Sequence, residues 1–306
     1  MDLSVAIVSW NTRELLDQCL RSIHDSTVGI EFEVIVVDNA SSDGSAEMVR
    51  ESYPNARLIA NAGNAGFAAA NNQAFEASSG RYLMMLNPDT IVHSGLQGAV
   101  EFLDAHPEAA VVGCKSLNPD GSIQVSWNTH YPGIVHDFLP GSVKQRLRSA
   151  NPAVDVERVF AAAWVGGVCM TVRRTAAENV GLLDVGYFIY TEETDWCRRF
   201  ADAGWRVMHA PCVTITHFGG QSTNQVAAKM QLELAKSKLR FVSKFGSPAK
   251  ARVYARALLA SASARLVFSR LTSIAQGGND RAERIAVLGE LVEAYRELCA
   301  DWRPDA

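Results

Sequence analysis

Tyr82-Leu83-Met84-Met85-Leu86-Asn87-Pro88-Asp89-Thr90 is the stretch that decides the fold. It is an apolar run that stops at Asn-Pro-Asp. This pattern indicates a buried strand ending in a turn, because proline cannot extend a β-ladder and disfavours helical backbone in the residue before it. The turn places Asp89 at the carboxyl end of the strand, where open α/β sheets bind ligands. Asn, Pro and Asp are also ordinary turn formers, so these residues alone leave a purely structural role for Asp89 open.

Strands and helices alternate around this stretch. Strands are predicted at 3–10, 32–38, 57–60, 82–86 and 109–114, and helices after Asn11-Thr12 and at 45–50, 68–78 and 95–105. The alternation predicts an α/β fold with a mostly parallel, doubly wound central sheet. The segment 115–159 is rich in Pro, Gly and aromatic residues, and we expect it to be irregular and to border the site.

The composition is that of a soluble globular protein. Of 306 residues, 48% are hydrophobic and 20% charged, and the net charge of −4 gives no general attraction to nucleic acid. The six cysteines form no C-x-x-C pair, which favours a reducing cytoplasm. Met1 leads almost directly into the first strand, so we expect no signal peptide, and no apolar run is long enough to predict a membrane-spanning helix.

Polar loops follow the predicted strands. Asp38, at the end of the second strand, is placed to accept hydrogen bonds from a base or ribose, although a carboxylate here also caps helices. Asn64-Ala65-Gly66 allows close backbone approach at a helix start, where free N–H groups bind anions. Gly166-Gly167 would likewise let backbone pass close to a ligand. No G-x-G-x-x-G follows the first strand and no phosphate loop of the G-x-x-x-x-G-K-[ST] type occurs.

Two further groups suggest chemistry. Glu192, Glu193 and Asp195 begin a predicted helix, where negative charge is favoured for structural reasons. Their density beside aromatic residues suited to stacking on a sugar (Tyr187, Tyr190 and Trp196) also fits a general base aimed at a hydroxyl. His217 ends an alternating run before a Gly pair. If it reaches Asp89, the two side chains offer a nitrogen and an oxygen to a divalent cation, with water and phosphate completing its shell.

In order along the chain, these motifs resemble those of family 2 glycosyltransferases, which are inverting enzymes of the GT-A fold. Val5 to Asn11, Val36 to Ser41, Asn64 to Phe67 with Asn71-Asn72, and Asn87-Pro88-Asp89 resemble the nucleotide-sugar half of that family. Gly167 to Met170, Glu192 to Asp195 and His217 to Ser222 resemble its acceptor half. The match covers roughly residues 3 to 225. It implies a Rossmann-like GT-A catalytic domain at 1–225, with halves at 1–115 and 116–225.

The resemblance also implies roles for individual residues. The nucleotide sugar would be bound by Ser9, Trp10, Asn11, Asp38, Asn39, Asn64, Gly66, Phe67, Asn71, Asn87 and Gly167. Glu193 would be the catalytic base, beside Glu192, and Asp195 would bind the acceptor. Asp89 corresponds to the last residue of the family's Asp-x-Asp motif and His217 to its additional ligand, so these two would hold Mg²⁺ or Mn²⁺.

Two departures from the family pattern matter. Asn87 replaces the first Asp of Asp-x-Asp, which puts a second direct metal contact in doubt, and Glu193 replaces the usual Asp. Asn-Pro-Asp and the run Gly66 to Asn72 are most similar to rhamnosyltransferases that use dTDP-L-rhamnose in cell-surface polysaccharide synthesis. A UDP-hexose transferase and a non-catalytic nucleotide-sugar or glycan binding protein are the alternatives. A nucleotidyltransferase ranks last, because its Gly-rich loop after the first strand is missing.

The remainder of the chain, 226–306, is predicted to be a helical extension. Nine Lys or Arg residues and no Asp or Glu lie between Lys236 and Arg270, so residues 236–270 are a candidate contact with an anionic bilayer. Ile285, Leu288, Val292 and Tyr295 form a heptad-like seam that predicts packing against the catalytic domain or a second subunit as a homodimer. We expect a cytoplasmic protein, at the inner face of the membrane if its acceptor is lipid-linked.

Overall fold

The computed structural model describes residues 1–139, 143, 155–219, 227–273 and 279–301. The chain divides into two compact units. The first comprises Met1–Tyr131, Gln145–Phe188 and Glu192–Ser222, and the second comprises Pro132–Lys144, Ile189–Thr191 and Thr223–Ala306. A compact unit reflects packing and need not coincide with a domain, so the boundary between 225 and 226 stays a prediction.

The parallel part of the sheet contains the four strands predicted first. β1 (Leu3–Ser9), β2 (Phe32–Asp38), β3 (Arg57–Ala60) and β4 (Tyr82–Leu86) lie in the order β3-β2-β1-β4. Every residue of β1 and β4 is buried, because the sheet is covered on both faces and its central strands meet no water. The prediction of a parallel α/β sheet is confirmed for these strands.

Beyond β4 the sheet is mixed. Its other strands are β5 (Thr90–Val92), β6 (Ala109–Leu117), β7 (Ile123–Gln124), β9 (Phe160–Ala161), β11 (Cys169–Arg173) and β12 (Arg206–His217). β8 (Trp127–Asn128) and β10 (Trp164–Val165) form a separate two-stranded antiparallel sheet. β11 lies antiparallel between β4 and β6, and β12 runs parallel to β6. β5 pairs antiparallel with the end of β12. The expectation of irregular structure at 115–159 is wrong in part, since β7, β8 and the end of β6 fall there.

Helices cover both faces of the sheet. They are α1 (Arg13–Ser26), α2 (Ser45–Ser52), α3 (Phe67–Glu76), α4 (Gln97–Ala105), α5 (Ile134–Phe138), α6 (Arg174–Val180), α7 (Glu192–Asp202), α8 (Ala227–Phe245), α9 (Pro248–Ser273) and α10 (Asn279–Asp301). Apolar residues of α1, α2 and α4 share a core with Leu3, Val5 and Ile7 of β1. Those of α3, α6 and α7 share a core with Ala6 and Val8, which alternate to the opposite face.

In the second unit, α8, α9 and α10 bury apolar residues against one another. Leu291, Val292 and Tyr295 of α10 share a cluster with Ala235 of α8 and Leu266 of α9. The heptad-like seam therefore packs within its own unit, and a homodimer through these helices stays a prediction. Among the described residues, none of the helices combines the length and apolar character needed to cross a membrane.

Candidate active site

Several predicted site residues lie at one edge of the sheet. Ser9 and Asp38 end the parallel neighbours β1 and β2 in register, and Asn87 directly follows β4. β12 has the same direction as β4, because it is parallel to β6 and both β6 and β4 are antiparallel to β11. His217 therefore ends its strand at this edge too. The topology brings Ser9 and His217, which are more than two hundred positions apart in the chain, to the same edge.

Asp38 and Asn39 shape the loop beyond β2. One oxygen of Asp38 accepts a hydrogen bond from the Ser41 amide at 3.0 Å, and the other is buried without a partner in the described part of the chain. Asn39 donates through Nδ2 to the Gly66 carbonyl at 3.3 Å and accepts from Asn61 Nδ2 at 2.9 Å. Asn39 thus joins the ends of β2 and β3 to the start of α3, while ligand binding by Asp38 stays a prediction.

The backbone conformation and the neighbours of residue 66 require a glycine at this position. Its φ of +87° favours glycine, and a Cβ at this position would lie 2.6 Å from the carbonyl oxygen of Phe188. The Phe67 amide donates to that same oxygen at 2.7 Å, while Asn64 Oδ1 accepts from the Gly66 amide at 3.0 Å. The start of α3 is thereby fixed against the chain just ahead of the carboxylate helix α7.

The residues after β1 are held by contacts within the chain. Ser9 Oγ lies 3.1 Å from Thr12 Oγ1, and Asn11 Oδ1 accepts from the Ser42 amide at 2.8 Å. Asn11 has a φ of +52°, so it forms the bend by which the chain leaves the sheet. Trp10 is half-buried. These contacts organise the loop, and donor binding by these three residues stays a prediction.

Unpartnered buried oxygens are concentrated in the predicted site. Native proteins rarely bury a polar atom unpaired unless a ligand, ion or water meets it. Among the described residues, four predicted site side chains each carry such an oxygen: Asp38 Oδ1, Asn71 Oδ1, Asn87 Oδ1 and Glu192 Oε2. The Nδ2 group of Asn71 donates to the Phe67 carbonyl at 2.9 Å, so its amide is oriented with the free oxygen turned away from that carbonyl.

Asp89 and His217 meet, as the sequence predicts. The Asp89 Oδ1 atom is 3.3 Å from His217 Nε2, and both side chains are largely buried. Asn87 Nδ2 lies 3.5 Å from the same nitrogen. The pairing of Thr90 in β5 with His217 in β12 sets this approach. The other imidazole nitrogen, Nδ1, is 2.6 Å from Oε1 of Gln124, a residue that the sequence did not single out.

This pair fits a divalent cation with an incomplete protein shell. Among the described residues, no group of three or more His, Cys, Asp or Glu side chains is placed to hold a metal ion. A carboxylate and an imidazole nevertheless supply a hard oxygen and a borderline nitrogen ligand of the type that Mn²⁺ and Mg²⁺ accept. The remaining ligands would come from water and a diphosphate.

Glu192 and Glu193 occupy different environments at the start of α7. Glu192 is 3% exposed, and burial, followed by the charge of Glu193, raises its pKa well above the ordinary value. Glu193 is half-buried and accepts from Thr194 Oγ1 at 3.2 Å. A Cβ placed on Gly167 would lie 3.7 Å from Glu193 Cβ and 3.6 Å from Phe67 Cε1. Glu193 and the start of α3 therefore both lie next to Gly167, at ordinary van der Waals distance from where a side chain would begin.

Asp195 is fixed inside the protein. It has no exposed surface, and its two oxygens accept from Arg199 Nε at 2.7 Å and from the Tyr187 hydroxyl at 3.2 Å. Arg199 also donates to the carbonyls of Val180 and Leu182. This arrangement joins α7 to the chain after α6. Acceptor binding by Asp195 stays a prediction, while the contacts in the structure give it an architectural role.

The expectation that Tyr187 and Trp196 offer stacking surfaces to a sugar is wrong. Tyr187 is 1% exposed and Trp196 is fully buried, packed against Phe75 and Phe200 with its indole N–H on the Gly181 carbonyl. Helical spacing places Trp196 one turn after Glu192 on the face that covers the sheet. These two aromatic side chains therefore hold α7 in place from the protein core.

The sequence is similar to a known family and to named enzymes. Residues 4–181, more than half of the chain, match the family model described as glycosyl transferase family 2. The N-acetylglucosaminyl-diphospho-decaprenol L-rhamnosyltransferase of Mycobacterium tuberculosis is 28% identical over 246 residues, covering 73% of this chain and 78% of that protein. The rhamnosyltransferase WbbL of Escherichia coli K12 is 23% identical over 248 residues, which cover 78% of this chain and 92% of WbbL.

A solved structure shows the same fold. The mannosyltransferase PcManGT from Pyrobaculum calidifontis, in complex with GDP-Man and Mn²⁺, superposes with a TM-score of 0.58 at 18% identity, covering 98% of this chain and 87% of that one. The mixed sheet with flanking helices and a carboxylate-lined edge defines a GT-A glycosyltransferase. The chain belongs to glycosyltransferase family 2.

Proposed function

We propose that this enzyme transfers L-rhamnose from dTDP-L-rhamnose, with inversion, to a hydroxyl of a lipid-linked glycan acceptor in cell-surface polysaccharide synthesis. The observation that supports catalysis most directly is that the half-buried Glu193 and the ring of Phe67 both lie next to Gly167, at the sheet edge that also carries Asp89 and His217. A base and a cation site on the same edge suit a displacement at a sugar's anomeric carbon.

The named relatives support the sugar and the acceptor. The mycobacterial relative is an L-rhamnosyltransferase whose printed name specifies a decaprenol-linked acceptor, and the Escherichia coli relative is also a rhamnosyltransferase. Both alignments cover more than two thirds of each chain. The choice of dTDP rests on the resemblance of Asn87-Pro88-Asp89 and the run from Gly66 to Asn72.

Glu193 is the proposed general base. It is half-buried, so it remains reachable, and it lies beside backbone that has no side chain at Gly167. Burial, followed by the charge of Glu193, raises the pKa of Glu192 and so disfavours its ionised form. In the proposed reaction Glu193 accepts the proton of the acceptor hydroxyl while the hydroxyl oxygen bonds to the anomeric carbon, and the nucleoside diphosphate leaves with the electrons of the broken bond.

Donor binding is assigned to a second group of residues on the same sheet edge, which comprises Asp38, Asn87, Asp89 and His217. Asp38 Oδ1, buried and unpartnered, is suited to accept a hydrogen bond from the base or ribose. Asp89 and His217 would hold Mg²⁺ or Mn²⁺, and Asn87 adds an amide beside them. The bound cation would neutralise negative charge on the diphosphate leaving group.

The test is a transfer assay with purified protein. The reaction contains dTDP-L-rhamnose, Mn²⁺ and an N-acetylglucosaminyl-diphospho-polyprenol, and both dTDP and the glycosylated lipid are measured. Stoichiometric appearance of both products is expected, with inverted anomeric configuration in the product's NMR spectrum. Activity with a UDP-hexose in place of dTDP-rhamnose would replace the proposed donor, and absence of any transfer with bound donor would favour the binding-protein alternative.

The exposed side of α9 is a proposed contact with an anionic bilayer. Val253, Val267 and Phe268 are 51%, 55% and 67% exposed, and Arg252 and Arg256 are exposed beside them on the same helix. Apolar side chains flanked by arginines, without any acidic residue between 236 and 270, suit the interface of a membrane with negative lipids. Such a contact would bring the enzyme to a lipid-linked acceptor.

Vesicle flotation tests this contact. We expect binding to vesicles containing phosphatidylglycerol and none to pure phosphatidylcholine. Replacing Arg252 and Arg256 together by Ala should weaken binding by about 2 kcal/mol, roughly 30-fold. Arg50→Ala on the first unit, also an exposed arginine, is the matched control. Equal flotation of wild type and the double variant would refute the proposal.

A further inference from the structure

We infer that Gln124 is a positioning residue that fixes the tautomer of His217, so that the free Nε2 lone pair faces Asp89. The inference deepens the proposed function and rests on its metal site at Asp89 and His217. It concerns how that site is prepared before a cation arrives.

The orientation of the Gln124 amide follows from acceptors that cannot donate. Its Nε2 atom lies 3.3 Å from the carbonyl oxygen of His217, and a carbonyl oxygen can only accept. The same Nε2 lies 3.0 Å from Asn118 Oδ1. Asn118 is itself oriented, because its Nδ2 donates to the hydroxyl of Ser122 and to the carbonyl of Ile123. These two contacts therefore fix the Nε2 atom of Gln124 on the side of the His217 carbonyl and Asn118.

The oxygen of Gln124 must then face the imidazole. Oε1 lies 2.6 Å from His217 Nδ1. Since an amide oxygen can only accept, Nδ1 carries the hydrogen, and in the neutral ring Nε2 has the free lone pair. That lone pair points toward Asp89 Oδ1 at 3.3 Å. The Nε2 atom can therefore accept a hydrogen bond from the Asn87 amide nitrogen at 3.5 Å, or bind a cation that it shares with Asp89.

The fold holds Gln124 in place. The turn from Asn118 to Gly121, with Gly121 at a φ of +81°, returns the chain so that β7 pairs antiparallel with the end of β6. Gln124 lies opposite Ser116, while β12 runs along the other side of β6 toward His217. The hairpin and β12 thus bring the amide and the ring together by main-chain pairing, and neither depends on a bound ligand.

A nitrogen NMR experiment on metal-free protein tests the orientation directly. Long-range ¹H–¹⁵N spectra of histidine-labelled protein, recorded well above the ordinary histidine pKa, distinguish Nδ1–H from Nε2–H rings. The His217 signals among the seven histidines are assigned by their loss in His217→Ala. We expect the Nδ1–H form in wild type. The Nε2–H form would overturn the inference whatever any variant does.

Titration with Mn²⁺ alone, followed by electron paramagnetic resonance, tests the consequence. Gln124→Met keeps the side-chain length without the amide and should raise the Mn²⁺ dissociation constant roughly 10- to 100-fold, as loss of an outer-shell partner does elsewhere. Gln124→Glu keeps an accepting oxygen and should stay within about threefold of wild type with the Nδ1–H form intact. Gln97→Met, at another half-buried glutamine, is the control for substitution itself.

The outcomes separate this inference from the proposed reaction. Neither experiment contains a sugar donor, so failure to transfer rhamnose would leave both results standing. Mn²⁺ binding by Gln124→Met as tight as by wild type, or no Mn²⁺ binding by wild type, would overturn the inference. If Gln124→Met does not fold, the wild-type tautomer and the Gln124→Glu titration still decide it.

Discussion

Replacing Glu193 by Gln removes the proposed base while keeping its shape. The neutral amide cannot accept the acceptor's proton, and general base catalysis contributes a factor of about 10²–10⁴. We therefore expect kcat to fall roughly 100- to 10,000-fold, about 2.7–5.4 kcal/mol of activation free energy. The fold should be unaffected, because the amide oxygen can still accept from Thr194 Oγ1, the contact now made at 3.2 Å. The assay measures dTDP release and glycosylated lipid together with thermal unfolding.

Glu192→Gln is the matched control at the neighbouring position. Glu192 is buried and its pKa is raised above 4.5 in the folded protein. As the pH rises from 4.5 toward the folded-state pKa, the carboxyl ionises in the unfolded chain but not in the folded one, so the free energy of unfolding falls. A glutamine side chain does not ionise, so the variant does not lose this part of the free energy of unfolding. We expect Glu192→Gln to raise the unfolding temperature at neutral pH, to have no such effect below pH 4.5, and to retain kcat within about threefold. Retained turnover in Glu193→Gln together with lost turnover in Glu192→Gln would refute the assignment of the base.

Four further outcomes are expected. Gly66→Ala should lower the free energy of unfolding by at least about 2 kcal/mol in urea titrations, because of its positive φ and the backbone contact a Cβ would make. Asp89→Asn should abolish the thermal stabilisation that Mn²⁺ with dTDP gives to wild type. Asp195→Ala should cost about 3–5 kcal/mol by stranding Arg199, whereas a pure acceptor role would raise KM without that loss. Burial disfavours the charged Glu33, but its hydrogen bonds outweigh this and lower its pKa, so the stability advantage of wild type over Glu33→Gln should vanish as pH falls below 4.5, measured by unfolding across pH.

The sequence predicted β1, β2 and β4 because each contains a run of buried, mostly apolar residues. β1 and β4 are buried along their whole length and β2 is buried from Val34 to Asp38, since both faces of the sheet are covered, and Asp89 follows β4 by three residues. β5 was missed because it has three residues and pairs with a strand more than a hundred residues later. Local propensity carries no information about such a partner.

The candidate site could be predicted only as a set of residue types. The pairing of Asp89 with His217 was implied by the family resemblance, and the structure places the two side chains together. The three acidic residues of α7 could not be separated, because all lie in one helical turn and only packing decides which is buried. That packing buries Glu192 and Asp195 and leaves Glu193 half-buried. Gln124 was missed because an amide in a short hairpin has no distinguishing local pattern.

The bond from the Phe67 amide to the Phe188 carbonyl has a consequence for how the protein is made. The loop before α3 leaves the ribosome more than a hundred residues ahead of Phe188, and β11, the neighbour of β4, also emerges late. The loop before α3 therefore lacks this contact until most of the sheet has been synthesised. A truncated chain that ends before Phe188 would lack the bond altogether, so the start of α3 can take its final conformation only after residue 188 has emerged.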